Sequence, residues 1–241
     1  MWAVRPFLDK LCKPAIVHKR ETEGVHMRTI AVTINKGGVG KTMVTKSLAT
    51  AATAAGLNVL ILDMDTQQNS TSWGRRRIKQ HDRPLPLARF TTEHDLTEEL
   101  QRAEIAGCDV VFIDTPPGRN SEAPAAVESS DLVLIPFWND QDAYEGVAKT
   151  AMLVKRIGKS AFGVLNFATP NSRSHEETAR VVLQAIPLAM APVVLHRYDI
   201  HRLANIKGLT AQELEPDSVA AQEIAAFWDW FGAAVQLGTS A

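Results

Sequence analysis

Residues 35–42 read Asn-Lys-Gly-Gly-Val-Gly-Lys-Thr, directly after the run RTIAVTI at 28–34 and directly before an alanine-rich stretch. This order of pieces narrows the fold sharply. A short β-branched run is a buried strand. Glycines at 37, 38 and 40 let the backbone turn tightly and bring its N–H groups onto phosphate oxygens. A helix opening at Thr42 aims its positive end at the same point. The common phosphate loop is G-x-x-x-x-G-K-[ST], and Gly40, Lys41 and Thr42 fill its end. Asn35 stands where the first glycine is expected, and Lys36 is an added charge. The expected nucleotide contacts are Lys36, Gly37, Gly38, Val39, Gly40, Lys41, Thr42 and Met43. Lys41 is expected to neutralise the β- and γ-phosphates, and the Thr42 hydroxyl to ligate Mg2+.

Lys36 needs a separate reason. A lysine just ahead of the glycine turn projects away from the phosphates its own loop holds. It is placed to reach a nucleotide facing it in a second copy of the chain, as an arginine finger does in trans. The alternative is a solvated loop lysine.

The rest of the chain alternates strands and helices. Strands are expected at 28–34, 58–62, 109–113, 132–136, 162–166 and 193–196. Helices are expected at 42–55, 95–105, 121–129, 142–157, 175–185, 200–206 and 218–235. The reading is an α/β fold of the P-loop NTPase type, with a mostly parallel central sheet and helices on both faces. Functional groups gather at the carboxyl ends of the strands, where such sheets bind ligands. Residues 27–241 read as a single domain. Residues 1–26 mix Trp2, Phe7 and Leu8 with charges and hold no apolar core of a signal peptide. They are read as an N-terminal extension, loose or not translated, with a helix docking on a partner as the alternative.

Asp63, Asp65 and Asp114 end or follow apolar runs. An acid at a strand end beside a phosphate loop suits metal binding or the positioning of water. Asp114 closes VVFID and is expected to hold Mg2+ through water, since that ion sheds its waters reluctantly. For Asp63 and Asp65 the alternative is capping of a turn or helix.

Composition excludes several classes. Cys12 and Cys108 form no C-x-x-C pair, which speaks against zinc or an iron–sulfur cluster. No apolar run approaches the roughly 20 residues that span a bilayer. The net charge of −1 predicts no strong pull toward nucleic acid by itself. The charge is uneven, however: from Lys149 to Lys207 there are nine Lys or Arg and three acids. A second basic cluster is Arg75, Arg76, Arg77 and Lys79. Each cluster also reads as a solvated face.

Lys-Gly-Gly-Val-Gly-Lys-Thr resembles the deviant Walker A motif of the ParA/MinD ATPases, and the resemblance runs from about Met27 to Phe231. LILDMDTQQNSTSW resembles the family stretch D-x-D-P-Q, with Thr66 in place of the proline. The resemblance implies that Asp65 orients the attacking water near the metal, and that Asp63 and Gln67 support the switch. Thr115, Pro116, Pro117 and Gly118 resemble the family loop that senses the γ-phosphate. Asn166 stands where related ATPases place an adenine contact, with a simple strand-end cap as the alternative. Arg197, Arg202 and Lys207 stand where short ParA proteins place basic residues near the C-terminal end, and Arg173, Arg180, Lys155 and Arg156 are candidates to extend that DNA-binding patch.

Within that family, the last helix carries Glu223 and Asp229 and no Lys or Arg. It therefore lacks the basic amphipathic character of a MinD-like membrane helix, and Ile224, Phe227, Trp228 and Phe231 read as core. The resemblance implies a slow ATPase with ATP and Mg2+ as cofactors. Its expected partners are a second copy, a ParB-type adaptor and non-specific double-stranded DNA, with no membrane. The implied role is plasmid or chromosome partition by a cytoplasmic, nucleoid-associated protein. Alternatives are positioning of a protein cluster or microcompartment, and a biosynthetic ligase of dethiobiotin-synthetase type.

Overall fold

The computed structural model describes residues 26–118, 121–170 and 173–235. Residues 1–25, the bulk of the expected extension, lie outside the described residues.

The strands are β1 (Arg28–Val32), β2 (Val59–Asp63), β3 (Leu87–Phe90), β4 (Val110–Asp114), β5 (Leu132–Phe137), β6 (Ser160–Leu165) and β7 (Ala189–Met190). They form one sheet in the order β3-β2-β4-β1-β5-β6-β7, and every pairing is parallel. The described helices are α1 (Lys41–Ala54), α2 (Asn69–His81), α3 (Leu96–Ile105), α4 (Glu122–Glu128), α5 (Gln141–Ile157), α6 (Arg173–Ala185), α7 (Asp199–Ile206), α8 (Ala211–Leu214) and α9 (Val219–Ala234).

Successive strand side chains point to opposite faces, and here both faces are buried. Ile30, Val32, Ile61, Phe112 and Leu134 pack with Leu48 of α1, Trp73 of α2 and Phe227 and Phe231 of α9. Ala31, Leu62, Val111, Ile113 and Val133 pack on the other side with α3, α5 and α6 through Leu96, Val147 and Leu183. Ile224, Phe227, Trp228 and Phe231 are all core, as the sequence indicates. Strand order reverses on either side of β1, so its carboxyl end lies at the switch point where open α/β sheets bind ligands.

Three local differences from the sequence reading have physical causes. The expected strand at 193–196 does not form; the sheet edge is β7, and His196 makes only an isolated bridge with Ala168. Pro192 offers no N–H to a ladder, and the Glu223 carboxylate accepts from the His196 backbone N–H at 2.9 Å. Helix α2 was not expected, because apolar periodicity is faint in NSTSWGRRRIKQH. Strand β3 follows it and lies close: a Cβ on Gly74 would meet the Ala88 Cβ at 3.0 Å, so only glycine lets helix and strand approach this far.

Candidate nucleotide site

The loop between β1 and α1 turns through Gly38 (φ 77°) and Gly40 (φ 89°), both in the left-handed region. A Cβ on Gly40 would fall 2.1 Å from Asn166 Nδ2 and 2.9 Å from the Phe167 ring, so this position admits no side chain. The loop opens a cleft of about 720 Å³. Gly37, Gly38, Gly40, Lys41, Thr42 and Met43 line it, together with Asp65, Gln67, Thr115 and Pro117 from the ends of β2 and β4. Lys41 is nearly buried and donates to the carbonyls of Lys36 (3.2 Å) and Ile34 (3.5 Å). Burial pushes its ammonium below the usual lysine range, while Asp114 and Asp65 pull it up.

The acids occupy three different situations. Asp63 is fully buried and accepts from Asp65 N–H (3.2 Å), Thr71 N–H (2.9 Å) and the Thr71 hydroxyl (3.1 Å). It thereby staples the segment after β2 to the start of α2, and burial pushes its carboxyl up. Asp65 is half exposed and accepts from the Gln67 N–H at 2.9 Å. Asp114 is buried, and its Oδ2 accepts from the Ser70 hydroxyl at 2.7 Å. Burial and Asp63 push this carboxyl up to about 6, against the Ser70 and Thr42 hydroxyls nearby and the charge of Lys46.

Among the described residues, Asp114 Oδ1 has no protein partner. A buried carboxylate oxygen left open beside the Thr42 hydroxyl, with Asp65 on the cleft wall, is an all-oxygen set that fits Mg2+. Among the described residues no cluster of three or more His, Cys, Asp or Glu could cage a metal. Mg2+ needs none, since it binds through one or two carboxylates, waters and substrate phosphates.

Thr115 is buried and donates its hydroxyl to Val32 O at 3.0 Å, so the loop after β4 is pinned to the end of β1. Pro117 then lies beside Gly37, where an added Cβ would meet the Pro117 Cβ at 3.5 Å. Pro116 is half buried, and Gly118 turns away at φ 108° toward a second, smaller cavity. Val39 is buried in the core and offers the cleft no side chain.

Lys36 behaves differently from its neighbours. It does not line the cleft, and its Nζ meets Asp142 Oδ2 at 2.7 Å at the start of α5.

Asn166, expected against the base, sits behind the loop instead. It is fully buried, and its Nδ2 donates to Val39 O at 2.8 Å, which holds the loop from beneath. Phe167, Arg197, Tyr198 and Asp199 line the cleft next to it. Arg197 lies over the rings of Phe167 (5.4 Å) and Trp138 (5.6 Å).

The expected DNA-binding residues do not all come together. Arg197 and Arg202 line the nucleotide cleft. Lys207 follows α7, its carbonyl bonded to His81 of α2. Arg173 and Arg180 belong to α6, which packs on the opposite face of the sheet, and Arg180 is paired with Glu176. Lys155 and Arg156 end α5 on that same face.

Sequence reading missed Ser70, Thr71 and Lys46. Lys46 is buried at the cleft, with its Nζ donating to Asn205 Oδ1 at 3.1 Å and 5.7 Å from the Trp73 ring. Its spacing was a usable signal, since Thr42 and Lys46 are four apart on one helix face. Asn-Ser-Thr-Ser at 69–72 was another, being a run of capping residue types.

Residues 30–221 match the model of the "CobQ/CobB/MinD/ParA nucleotide binding domain". A maintenance of carboxysome distribution protein A from Gloeobacter kilaueensis is 30% identical over 191 residues, covering 76% of this chain and 83% of that protein. A chromosome partitioning protein ParA from Caulobacter vibrioides is 27% identical over 169 residues, 54% of this chain and 63% of that protein. The alignment thus spans less than two thirds of the Caulobacter protein. The septum site-determining protein MinD of Pyrococcus horikoshii, solved with Mg-ADP, has the same fold, with a TM-score of 0.69 at 20% identity over 88% of this chain and 98% of that one. The family model covers most of the sequence, and the parallel sheet and phosphate loop agree with it: the chain belongs to the ParA/MinD family of P-loop nucleotide-binding proteins.

Proposed function

We propose that this protein is an ATPase that positions cargo over DNA by cycling between monomer and dimer. Residues 27–241 act as one ATPase domain. ATP sits on residues 37–43 of the loop, with its phosphates held by the loop amides and Lys41. Mg2+ is held by Thr42 and Asp114, with Asp65 beside it, and supplies charge neutralisation on the β- and γ-phosphates. Asp65 orients the attacking water, and residues 115–118 follow the γ-phosphate. Two copies close face to face, each Lys36 reaching the other's nucleotide.

The closed dimer holds double-stranded DNA through phosphate contacts, without base readout. That would place it on the nucleoid in the cytoplasm. A ParB-type adaptor on the cargo stimulates slow hydrolysis and releases the dimer. The cargo in this reading is plasmid or chromosomal DNA. The observation that carries the proposal is the division of labour between two lysines of one loop: Lys41 lines the cleft and Lys36 does not. A cargo made of protein, a cluster or microcompartment, is the second reading. It is favoured by the carboxysome distribution relative, which aligns over 83% of its length.

The test is DNA retardation with ATP, with ADP and without nucleotide, at low and high salt. Binding is expected only with ATP, falling steeply with salt. Equal retardation without nucleotide would overturn the switch. Adding the product of a neighbouring gene, either a small DNA-binding protein or a cluster component, and following phosphate release separates the two cargo readings.

A further inference from the structure

Ser70 belongs to no motif of the phosphate site, yet it is fully buried and its hydroxyl holds Oδ2 of Asp114 at 2.7 Å. The other oxygen of that carboxylate has no partner among the described residues. The χ2 torsion of an aspartate is broad and roughly two-fold, so a carboxylate without a fixed neighbour exchanges its two oxygens freely. Ser70 removes that freedom, because its own position is fixed. It is the second residue of α2, in the turn that follows Gln68 at φ 52°. Its neighbour Thr71 donates twice to Asp63. Farther along, α2 is tied to the segment 205–213: Trp73 Nε1 donates to Leu209 O (3.1 Å), and Arg77 makes paired bonds to Glu213 (2.6 and 2.9 Å).

We propose that Ser70 is the positioning residue of the metal site. It turns Asp114 so that Oδ1 alone faces the magnesium shell, and it makes the first turn of α2 move with the loaded metal. The proposal rests on the reading that this cleft binds a magnesium nucleotide. Hydrogen-bond partners of metal-ligating groups typically change metal affinity 10- to 100-fold when removed, and this partner is buried and meets a carboxylate directly.

The experiment titrates Mg2+ into protein holding a fluorescent ATP analogue, for wild type, Ser70→Ala and Ser70→Thr. Amide hydrogen exchange is followed in α2 with and without Mg2+. Wild type is expected to show a Mg2+-dependent signal and Mg2+-dependent protection of the first turn of α2. Ser70→Ala should need about tenfold more Mg2+, lose that protection and bind the analogue unchanged in EDTA. Ser70→Thr, which keeps the hydroxyl, should stay within about threefold of wild type. A Mg2+ midpoint that does not move in Ser70→Ala overturns the proposal. Equal weakening with and without Mg2+ does the same, as does Ser70→Thr shifting as far as Ser70→Ala. Wild type without any Mg2+ response would instead overturn the underlying reading of the cleft.

Discussion

Lys36 Nζ lies 2.7 Å from Asp142 Oδ2, an ion pair that joins the phosphate loop to the first turn of α5. Asp142 holds the Lys36 ammonium above its usual range, and the pair is exposed. A lysine that must reach a second subunit has to leave this partner first. Asp142→Ala is therefore expected to favour the ATP-bound dimer by a modest factor, about two- to fivefold, as befits a surface pair. Sedimentation of the variant and wild type with ATP reads this directly. A dimer weakened by the substitution would mean that Asp142 supports the closed state instead of restraining Lys36.

Gly40 is the position where the loop has least freedom. Alanine there combines a left-handed φ of 89° with a Cβ placed 2.1 Å from Asn166 Nδ2. The backbone strain alone is about 1–3 kcal/mol, and the contact forces Asn166 off the Val39 carbonyl it holds. Gly40→Ala is expected to lower nucleotide affinity by more than about tenfold while the far-ultraviolet dichroism stays that of a folded chain. Titration with a fluorescent ATP analogue checks it, and affinity equal to wild type would show that the loop tolerates a side chain.

What was legible in the sequence was local. The phosphate loop spans eight positions, and its strand and helix flank it, so residue types and spacing were enough for Gly40, Lys41 and Thr42. Asp114 was equally visible, because a central parallel strand buries both faces and reads as an unbroken apolar run ending in an acid. Helix α2 was not visible: its buried residues include Ser70, Thr71, Gly74 and Arg77, and the partner of Arg77 is Glu213, 136 positions away. Arg197 and Arg202 show the same limit from the other side. Family resemblance gave them a part in DNA binding, and the turn into α7 also sets them on the nucleotide cleft, a neighbourhood that their own sequence does not show. Asn166 was placed at the correct strand end, but which of its neighbours it holds depends on how near Gly40 comes.

The Arg77–Glu213 pair should be the strongest single anchor of α2. Arg77 is 2% exposed, stacks 4.6 Å from the Trp73 ring and also donates to Leu85 O and Gly208 O. Burial pushes the Glu213 carboxyl up, but Arg77, the Thr210 N–H and Arg83 outweigh it and hold the group below its usual range. Glu213→Ala leaves a buried guanidinium without its counter-charge and is expected to cost about 3–5 kcal/mol at neutral pH. A depressed carboxylate contributes stability that is complete above its unfolded value near 4.3 and is lost as pH falls through the lower folded value. The gap between variant and wild type should therefore be full at pH 7 and shrink below about pH 4. Urea denaturation at the two pH values measures it, and a gap under about 1 kcal/mol at pH 7 would contradict this role.

Lys46 presents the opposite case, a charge the fold holds at a loss. Burial pushes its ammonium down to about 8, Arg76 adds to the effect, and Asp114 and Asp63 only partly oppose it. A shift of that size corresponds to about 3 kcal/mol, and the sign follows from the direction. A base whose folded pKa is depressed carries its penalty in full below the folded value and sheds it as pH rises toward the unfolded value near 10.4. Lys46→Met keeps much of the stem's volume beside Trp73 but removes a counter-charge from Asp114. The expected net gain at pH 7 is therefore about 1–3 kcal/mol, fading between pH 8 and 10. Urea denaturation in EDTA at pH 7, 8.5 and 10 reads both the sign and the slope. A variant less stable than wild type at pH 7, or a difference that ignores pH, would mean that the Asn205 hydrogen bond and the Trp73 ring outweigh the desolvation of the charge.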